Sequence, residues 1–163
     1  ALGDSGDTFT VPSGATITNN GTATGFGGGK ILQVVSAADS TSRATTSTSY
    51  VTGSNTLSVA ITPASTSNKV FVIVTTVIQN SGSSENSMFS IFRDSTNLGD
   101  TIQGMVIMAP NLYQNSSMSV VDSPSSTSEL TYQLYMRGTD GNTSTCVVAG
   151  AVSSITAMEI DGT

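Results

Sequence analysis

The chain has 163 residues, a net charge of −6 and an isoelectric point near 4.1. Charged residues make up 10% of it, against roughly 25% in ordinary soluble domains, whereas Ser and Thr together make up about a third. The lack of a Lys and Arg stripe argues against a nucleic acid partner, and a hydrophobic content of 37% argues against a disordered chain.

The first predicted elements, in residues 1–29, are unusually short. The pieces TFTV, ATIT and TAT are separated by the turn signals Pro-Ser-Gly and Asn-Asn-Gly, and strands this short cannot form a stable sheet by themselves. We predict that three copies wind together into an intertwined β-stem, which buries along a common axis Phe9, Val11, Ile17 and Phe26. The alternative is a floppy N-terminal tail. The glycines of GFGGGK (25–30) predict a neck after the stem.

Residues 30–163 are predicted to form a head domain of about ten strands without intervening helices. The strand-like segments are, in chain order, 30–36, 47–53, 55–63, 68–80, 87–94, 98–102, 105–110, 116–123, 129–138 and two further segments at the end. Segment 68–80 is apolar on both faces, so we expect it to be central and covered on both sides. TDGN (139–142) is a hairpin signal. The pattern predicts an all-β antiparallel sandwich of jelly-roll type.

Several phrases of the sequence resemble a family of bacteriophage proteins. GDTFTVPSGATITNNGTATGF is similar to a segment that recurs in tail-fibre and other virion-fibre proteins, especially of marine phages. The phrases ATTSTSYVTG, LSVAITPASTSNKVFVIV, SIFRDSTNLG, VVDSPSSTSELTYQLYMRGTDG and SSITAMEI resemble the C-terminal module that often follows it. The resemblance implies a homotrimeric fibre that ends in a β-sandwich tip, comparable with the trimeric jelly rolls of tumour necrosis factor and complement.

The sequence leaves three functions open. The resemblance favours a virion fibre or spike, exposed on the particle surface, whose N-terminus contacts other virion proteins and whose tip binds a host-surface receptor, for which a glycan is one candidate. The second hypothesis is a capsid decoration or head-fibre protein with a purely structural role. The third is a bacterial surface adhesin or filament subunit. Because the chain begins at Ala1, trimming and a fragment are both open alternatives.

Receptor binding is predicted for the loops at the tip of the head. Amide and aromatic side chains suit shallow polar ligands because they offer hydrogen bonds and a stacking face. The candidates lie in three stretches and are Asn80, Glu85, Asn86, Asn111, Tyr113, Gln114, Asp140 and Asn142. The simpler alternative for each of them is a solvated turn residue.

The sequence also argues against an enzyme, a cofactor and a resident metal. The chain has no His, which removes the usual nucleophilic triads and histidine metal sites, and Asp4 with Asp7 falls short of a calcium ligand set. Two carboxylate pairs, Asp94/Asp100 and Asp122/Glu129, are candidates for the two acids of a glycosidase. Both pairs lie in turn-like sequence, where Asp is expected for structural reasons. Cys146 is the one cysteine, and its apolar neighbours predict a buried thiol. The run 70–78 is too short to span a bilayer, so we expect no membrane insertion.

Overall fold

The computed structural model describes Thr10, residues 12–15 and residues 30–162. The predicted stem residues Phe9, Val11, Ile17 and Phe26 lie outside these described residues, as does most of the predicted stem domain. Residues 30–162 form two packed antiparallel sheets. The predicted all-β sandwich is therefore confirmed for the head.

Eleven strands are described, with a single 3₁₀ turn at Val148–Gly150. Their bounds are β1 (Ile31–Asp39), β2 (Arg43–Thr45), β3 (Ser58–Ile61), β4 (Lys69–Asn80), β5 (Ser87–Arg93), β6 (Thr96–Asn97), β7 (Val106–Met108), β8 (Leu112–Asp122), β9 (Leu130–Gly138), β10 (Ser144–Cys146) and β11 (Ser153–Ile160).

The order of the strands is that of a jelly roll. In the first sheet β4 is central. It pairs with β8 on one side and, on the other side, with β11 and β10, which lie end to end. At the outer edge β1 pairs with β11 and β2 pairs with β10. The second sheet has the order β3-β9-β5, with β6 and β7 both pairing with β5. The long strands therefore run β1-β11-β4-β8 in one sheet and β3-β9-β5-β7 in the other. The chain crosses between the sheets from β3 to β4, β4 to β5, β7 to β8, β8 to β9 and β9 to β10, as a double-sheet jelly roll requires.

The core lies between the two sheets and follows the alternation of the sequence. On β9 the inward side chains are Leu130, Tyr132, Leu134 and Met136, all buried. Around β3 the buried side chains are Leu57, Val59 and Ile61. Each set shares a face, since side chains two apart lie on the same side of a strand.

Strand β4 is central, as predicted, but the described residues fully cover one of its faces only. Val70, Val72 and Val74 point into the core and are fully buried. The alternate residues Phe71 and Ile73 point outward and are half-buried. The strand therefore offers an apolar outer face that the rest of the head covers only in part.

Four local predictions differ from the structure. Segment 47–53 pairs at the bridge between Val51 and Met136 alone, and 98–102 is a turn preceded by the two-residue β6. The polar stretch 37–46 contains β2, which a composition of Ser, Thr and Ala does not reveal. TDGN forms a turn with positive φ at Asp140 and Gly141, but it passes between the sheets, because β10 pairs with β4 and β2 instead of β9.

The sandwich has two distinct ends. The proximal end holds the first residues of β1 and β4 and the last residues of β8 and β11. Residues 1–29 join the head there, through Lys30. The distal end holds the last residues of β4, loop 81–86, turn 139–142 and the start of β8.

Candidate functional site

The predicted receptor loops converge at the distal end. The Asn142 side-chain amide donates to the Glu85 carbonyl at 2.8 Å, and the Thr139 backbone N–H donates to the Asn86 carbonyl at 3.1 Å. The backbone N–H of Asn111 donates to the Gly82 carbonyl at 2.9 Å. Three stretches far apart in sequence therefore form one surface, which loop position alone could not establish.

Most of the polar groups in these loops hold the loops together. Asn80 is fully buried; its amide donates to the carbonyls of Glu85 at 2.6 Å and Met108 at 3.3 Å, and its Oδ1 accepts from the Gly82 N–H at 2.9 Å. Because its side chain has no exposed surface, Asn80 positions the loop and does not face a ligand. Asn142 is similarly occupied, and Asp140 is exposed at the tip of its turn.

Tyr113 and Gln114 lie beside these loops, on the exposed start of β8. Tyr113 is 70% exposed and is paired with Gln79 of β4. With the neighbouring Asn115 they form one wall of a cleft of about 610 Å³ on the outer face of the first sheet. The side chains of these three residues make no hydrogen bond to the described part of the chain, so their polar groups are available to a ligand.

The opposite wall of the cleft comes from residues 147–152, which leave the sheet between β10 and β11. These two strands pair end to end with β4. We call residues 147–152 the excursion. The chain leaves the sheet after Cys146, at Val147, whose φ of 57° is in the left-handed region. The buried Val147 N–H donates to Thr76 Oγ1 at 3.2 Å, which fixes the base of the excursion. Val148, Gly150 and Ala151 then face the start of β8 across Val77. One wall of the cleft therefore lies on strand β8, and the other lies on the 3₁₀ turn Val148–Gly150 and Ala151.

An apolar row crosses the outer face of the first sheet at the proximal end. Val34 pairs with Met158, Met158 with Phe71, and Phe71 with Val121, so one side chain from each of four adjacent strands lies on the same face. Val34 is 56% and Val121 54% exposed. We call Val34, Met158, Phe71 and Val121 the apolar row. Ile31, which is 58% exposed, extends it towards residues 1–29.

No model of a known protein family matches the chain, and no curated protein matches it significantly.

The carboxylates that the sequence offered as glycosidase acids make structural contacts within the head. Asp122 accepts two hydrogen bonds from Arg93 Nη1, at 2.8 and 2.7 Å, and one from the Tyr132 hydroxyl at 2.6 Å. Glu129, proposed as its partner, is exposed in the following turn. Asp100 caps its own turn by accepting from the N–H groups of Ile102 and Gln103. These contacts hold strands and turns in place and leave Asp122 and Asp100 without a free acid pair.

Other groups of possible chemical interest are buried or dispersed. Cys146 is fully buried, as predicted, and burial raises the pKa of its thiol to about 12. Among the described residues, no group of three or more His, Cys, Asp or Glu side chains is placed to hold a metal ion. A helix long and apolar enough to cross a membrane is not found in the described part of the chain.

Sequence reasoning missed the apolar row and half of the cleft. The row depends on strand register across four segments, although the apolar outward positions of 68–80 gave a signal for Phe71. Asn115 was missed because it lies one residue beyond Gln114, the last candidate of its stretch. The excursion wall was missed because the apolar segment STCVVAG indicates a strand, whereas β10 ends at Cys146. Val147 has the left-handed backbone that marks the excursion, and a β-branched residue gives no such signal.

Proposed function

We propose that the chain is a virion structural protein: a homotrimeric phage fibre or spike with an N-terminal stem and a sandwich head that attaches to the host surface. The apolar row carries the proposal. A face of this kind on a single head leaves large apolar side chains in water, and a second and third copy would cover them.

The position of the row supports assembly around an axis that continues into the stem. Residues 1–29 join the head at Lys30, next to Ile31 and the row. Covering a side chain that is about half exposed stabilises an assembly by about 1 kcal/mol, so Ile31, Val34 and Val121 contribute a few kcal/mol per copy. The short strands predicted in residues 1–29 would gain their partners in the same assembly.

The unpaired edge of β8 also favours contact between copies. The edge of β8 that does not pair with β4 has no strand partner among the described residues. The strand runs for eleven residues, Leu112–Asp122, and carries no charge before Asp122. Natural proteins usually protect such an edge with charges, bulges, proline or another chain. Coverage by a neighbouring copy would provide that protection.

The orientation that we propose for the head on the particle follows from its two ends. The proximal end would face the particle, with residues 1–29 contacting other virion proteins, and the distal end would face the host. The distal loop 81–86 and turn 139–142 carry Glu85 and Asp140 but no Lys or Arg, so recognition there would depend on hydrogen bonds and an aromatic face instead of a cation. Such contacts are less sensitive to salt than ion pairs are.

Light scattering on the full chain and electron microscopy of the parent particle test the proposal. We expect the mass of three chains, and antibody labelling at the end of a fibre or spike. A stable monomer would contradict the assembly. Labelling spread over the capsid shell with no contact to host cells would favour the decoration hypothesis, in which the buried amides of the distal loops have a purely structural role.

A further inference from the structure

We propose that the cleft between Tyr113 and the 147–152 excursion binds a neutral saccharide. This inference rests on the proposed host attachment and specifies its ligand class and its site. The distal loops are the obvious alternative, but the amides of Asn80 and Asn142 are already engaged within the protein, and no aromatic side chain lies in loop 81–86 or turn 139–142. The cleft is where polar side chains, an aromatic face and a concave surface occur together.

Tyr113 provides the stacking face. Its ring is 70% exposed, whereas the other three tyrosines of the chain are engaged. Tyr132 is buried against Asp122, Tyr135 stacks on Phe92 with ring centroids 4.1 Å apart, and Tyr50 packs against Phe92 at 5.3 Å. The apolar face of a pyranose ring suits such an exposed aromatic surface, as aromatic side chains present an apolar body with a polar tip.

Asn115 provides hydrogen bonds beside this ring, because it lies two residues from Tyr113 and on the same face of β8. Its amide offers two donors and one acceptor oxygen, which matches sugar hydroxyls that donate and accept. Gln114 pairs with the buried Ile78, so its side chain lies on the other face of the strand. The Asn115 amide has no side-chain partner among the described residues, so binding does not require an internal hydrogen bond to break. Val77 forms the floor, and Val148 with Ala151 closes the far side against water.

The charge of the site selects a neutral ligand. The residues lining the cleft are all uncharged, and the whole chain carries a net charge of −6. An acidic polysaccharide would find no cation in the cleft and would be repelled at longer range. The volume of about 610 Å³ is within the range of small-ligand sites.

The cleft is well separated from the apolar row along β4. Phe71 and Val77 are six residues apart, which is about 20 Å along a strand. Contact between copies at the proximal row therefore does not by itself fill the distal cleft, and the two surfaces can be tested separately.

The test is calorimetric titration of the full chain with maltohexaose, mannohexaose and chitohexaose as neutral probes and a galacturonic acid hexamer as the acidic probe. We expect at least one neutral probe to bind and the acidic probe to bind more weakly. Tyr113→Ala should weaken binding at least about tenfold, and Tyr113→Phe should retain it within about threefold. Asn115→Ala should weaken it by about threefold to tenfold. Leu112→Ala, half-exposed on the same strand but outside the cleft, is the matched control.

The same samples distinguish an error in the proposed saccharide site from an error in the proposed trimeric assembly. A trimer that binds none of the neutral probes, binds the acidic probe more tightly, or binds equally after Tyr113→Ala overturns the cleft alone. A monomer that binds a neutral probe through Tyr113 supports the cleft and overturns the proposed assembly.

Discussion

The two ends of the outer face of the first sheet differ in chemistry although the same strands form both. At the proximal end β4 presents Phe71 between Met158 and Val121. At the distal end the same strand presents Val77 and Gln79, beside Asn115 and Tyr113. Along β4 and β8 the backbone runs through both ends, so on these two strands the difference lies in the outward side chains. One end has the composition of a surface that another chain covers, and the other has that of a surface that water and polar ligands reach.

The buried polar groups also differ between the two ends. At the proximal end two carboxylates are buried: Glu159, which accepts from Gln33, Ala64 and Asn68, and Asp122. The groups buried at the distal end are neutral: the Asn80 amide and the hydroxyl pair of Ser87 and Ser144, 2.7 Å apart. Acid should therefore act at the proximal end through Glu159, whose pKa is lowered because its hydrogen bonds outweigh its burial. Asp39, buried at the last residue of β1, is a second acid-sensitive group away from that end, whereas the distal loops bury no carboxylate.

The largest expected effect is the loss of assembly in Phe71→Asp. The substitution places a carboxylate in the centre of the apolar row, where contact with another copy would remove it from water. Light scattering should give a monomer, while circular dichroism should still report a folded sheet because Phe71 faces outward. Thr75→Asp, exposed on the same face of β4 and four residues away, is the control and should remain assembled. A trimeric Phe71→Asp protein would exclude the row as the interface.

The next largest effect is a loss of stability in Asn80→Ala. The change removes two donated hydrogen bonds and the acceptor of the Gly82 N–H, and leaves a cavity at a fully buried position. We expect the free energy of unfolding to fall by about 3 kcal/mol, measured by urea denaturation at neutral pH. An effect below about 1 kcal/mol would mean that the distal loops do not depend on this amide.

The sequence predicted the fold better than the surfaces, for a physical reason. Alternation in 129–138 fixes which side of β9 is buried, since side chains two apart share a face. The apolar row and the cleft depend instead on which strand lies beside which, and in what register. A jelly roll pairs β1 with β11, strands more than a hundred residues apart, and no local pattern contains that pairing. Asn80 illustrates the limit: its position at a strand end was read correctly, but its burial depends on Glu85 and Met108.

Glu159→Gln should have a smaller effect, concentrated in acid. Burial alone would raise the pKa of Glu159, but hydrogen bonds from Asn68, Gln33 and the Ala64 N–H outweigh it and lower the pKa below 4.5. The carboxylate therefore stabilises the fold fully above pH about 4.5, and that stabilisation is lost as the pH falls through the lowered folded-state pKa. We expect the variant to lose about 2 kcal/mol at neutral pH and to show a shallower decline in acid.

Urea denaturation between pH 7 and pH 3 measures both parts of this prediction. Glu129→Gln removes an exposed carboxylate and is the matched control; it should retain the wild-type decline. Asp39, whose pKa is also lowered because hydrogen bonds from Thr56 and Thr41 outweigh its burial, should leave a residual slope in both variants. An unchanged slope in Glu159→Gln would show that the proximal carboxylate does not cause the acid response.

The smallest effect is expected for Asn142→Ala at the distal end. Asn142 is half-buried and donates one side-chain hydrogen bond, to the Glu85 carbonyl at 2.8 Å, so its loss should cost about 1 kcal/mol. No titrating group is removed, so the loss should be the same at pH 7 and pH 4, and the assembly should stay intact. Asp140→Ala, at the exposed position two residues earlier in the same turn, should change stability by less than about 0.5 kcal/mol. If Asn142→Ala instead dissociated the trimer, copies would meet at the distal end as well, and the contrast between a covered end and an open end would fail.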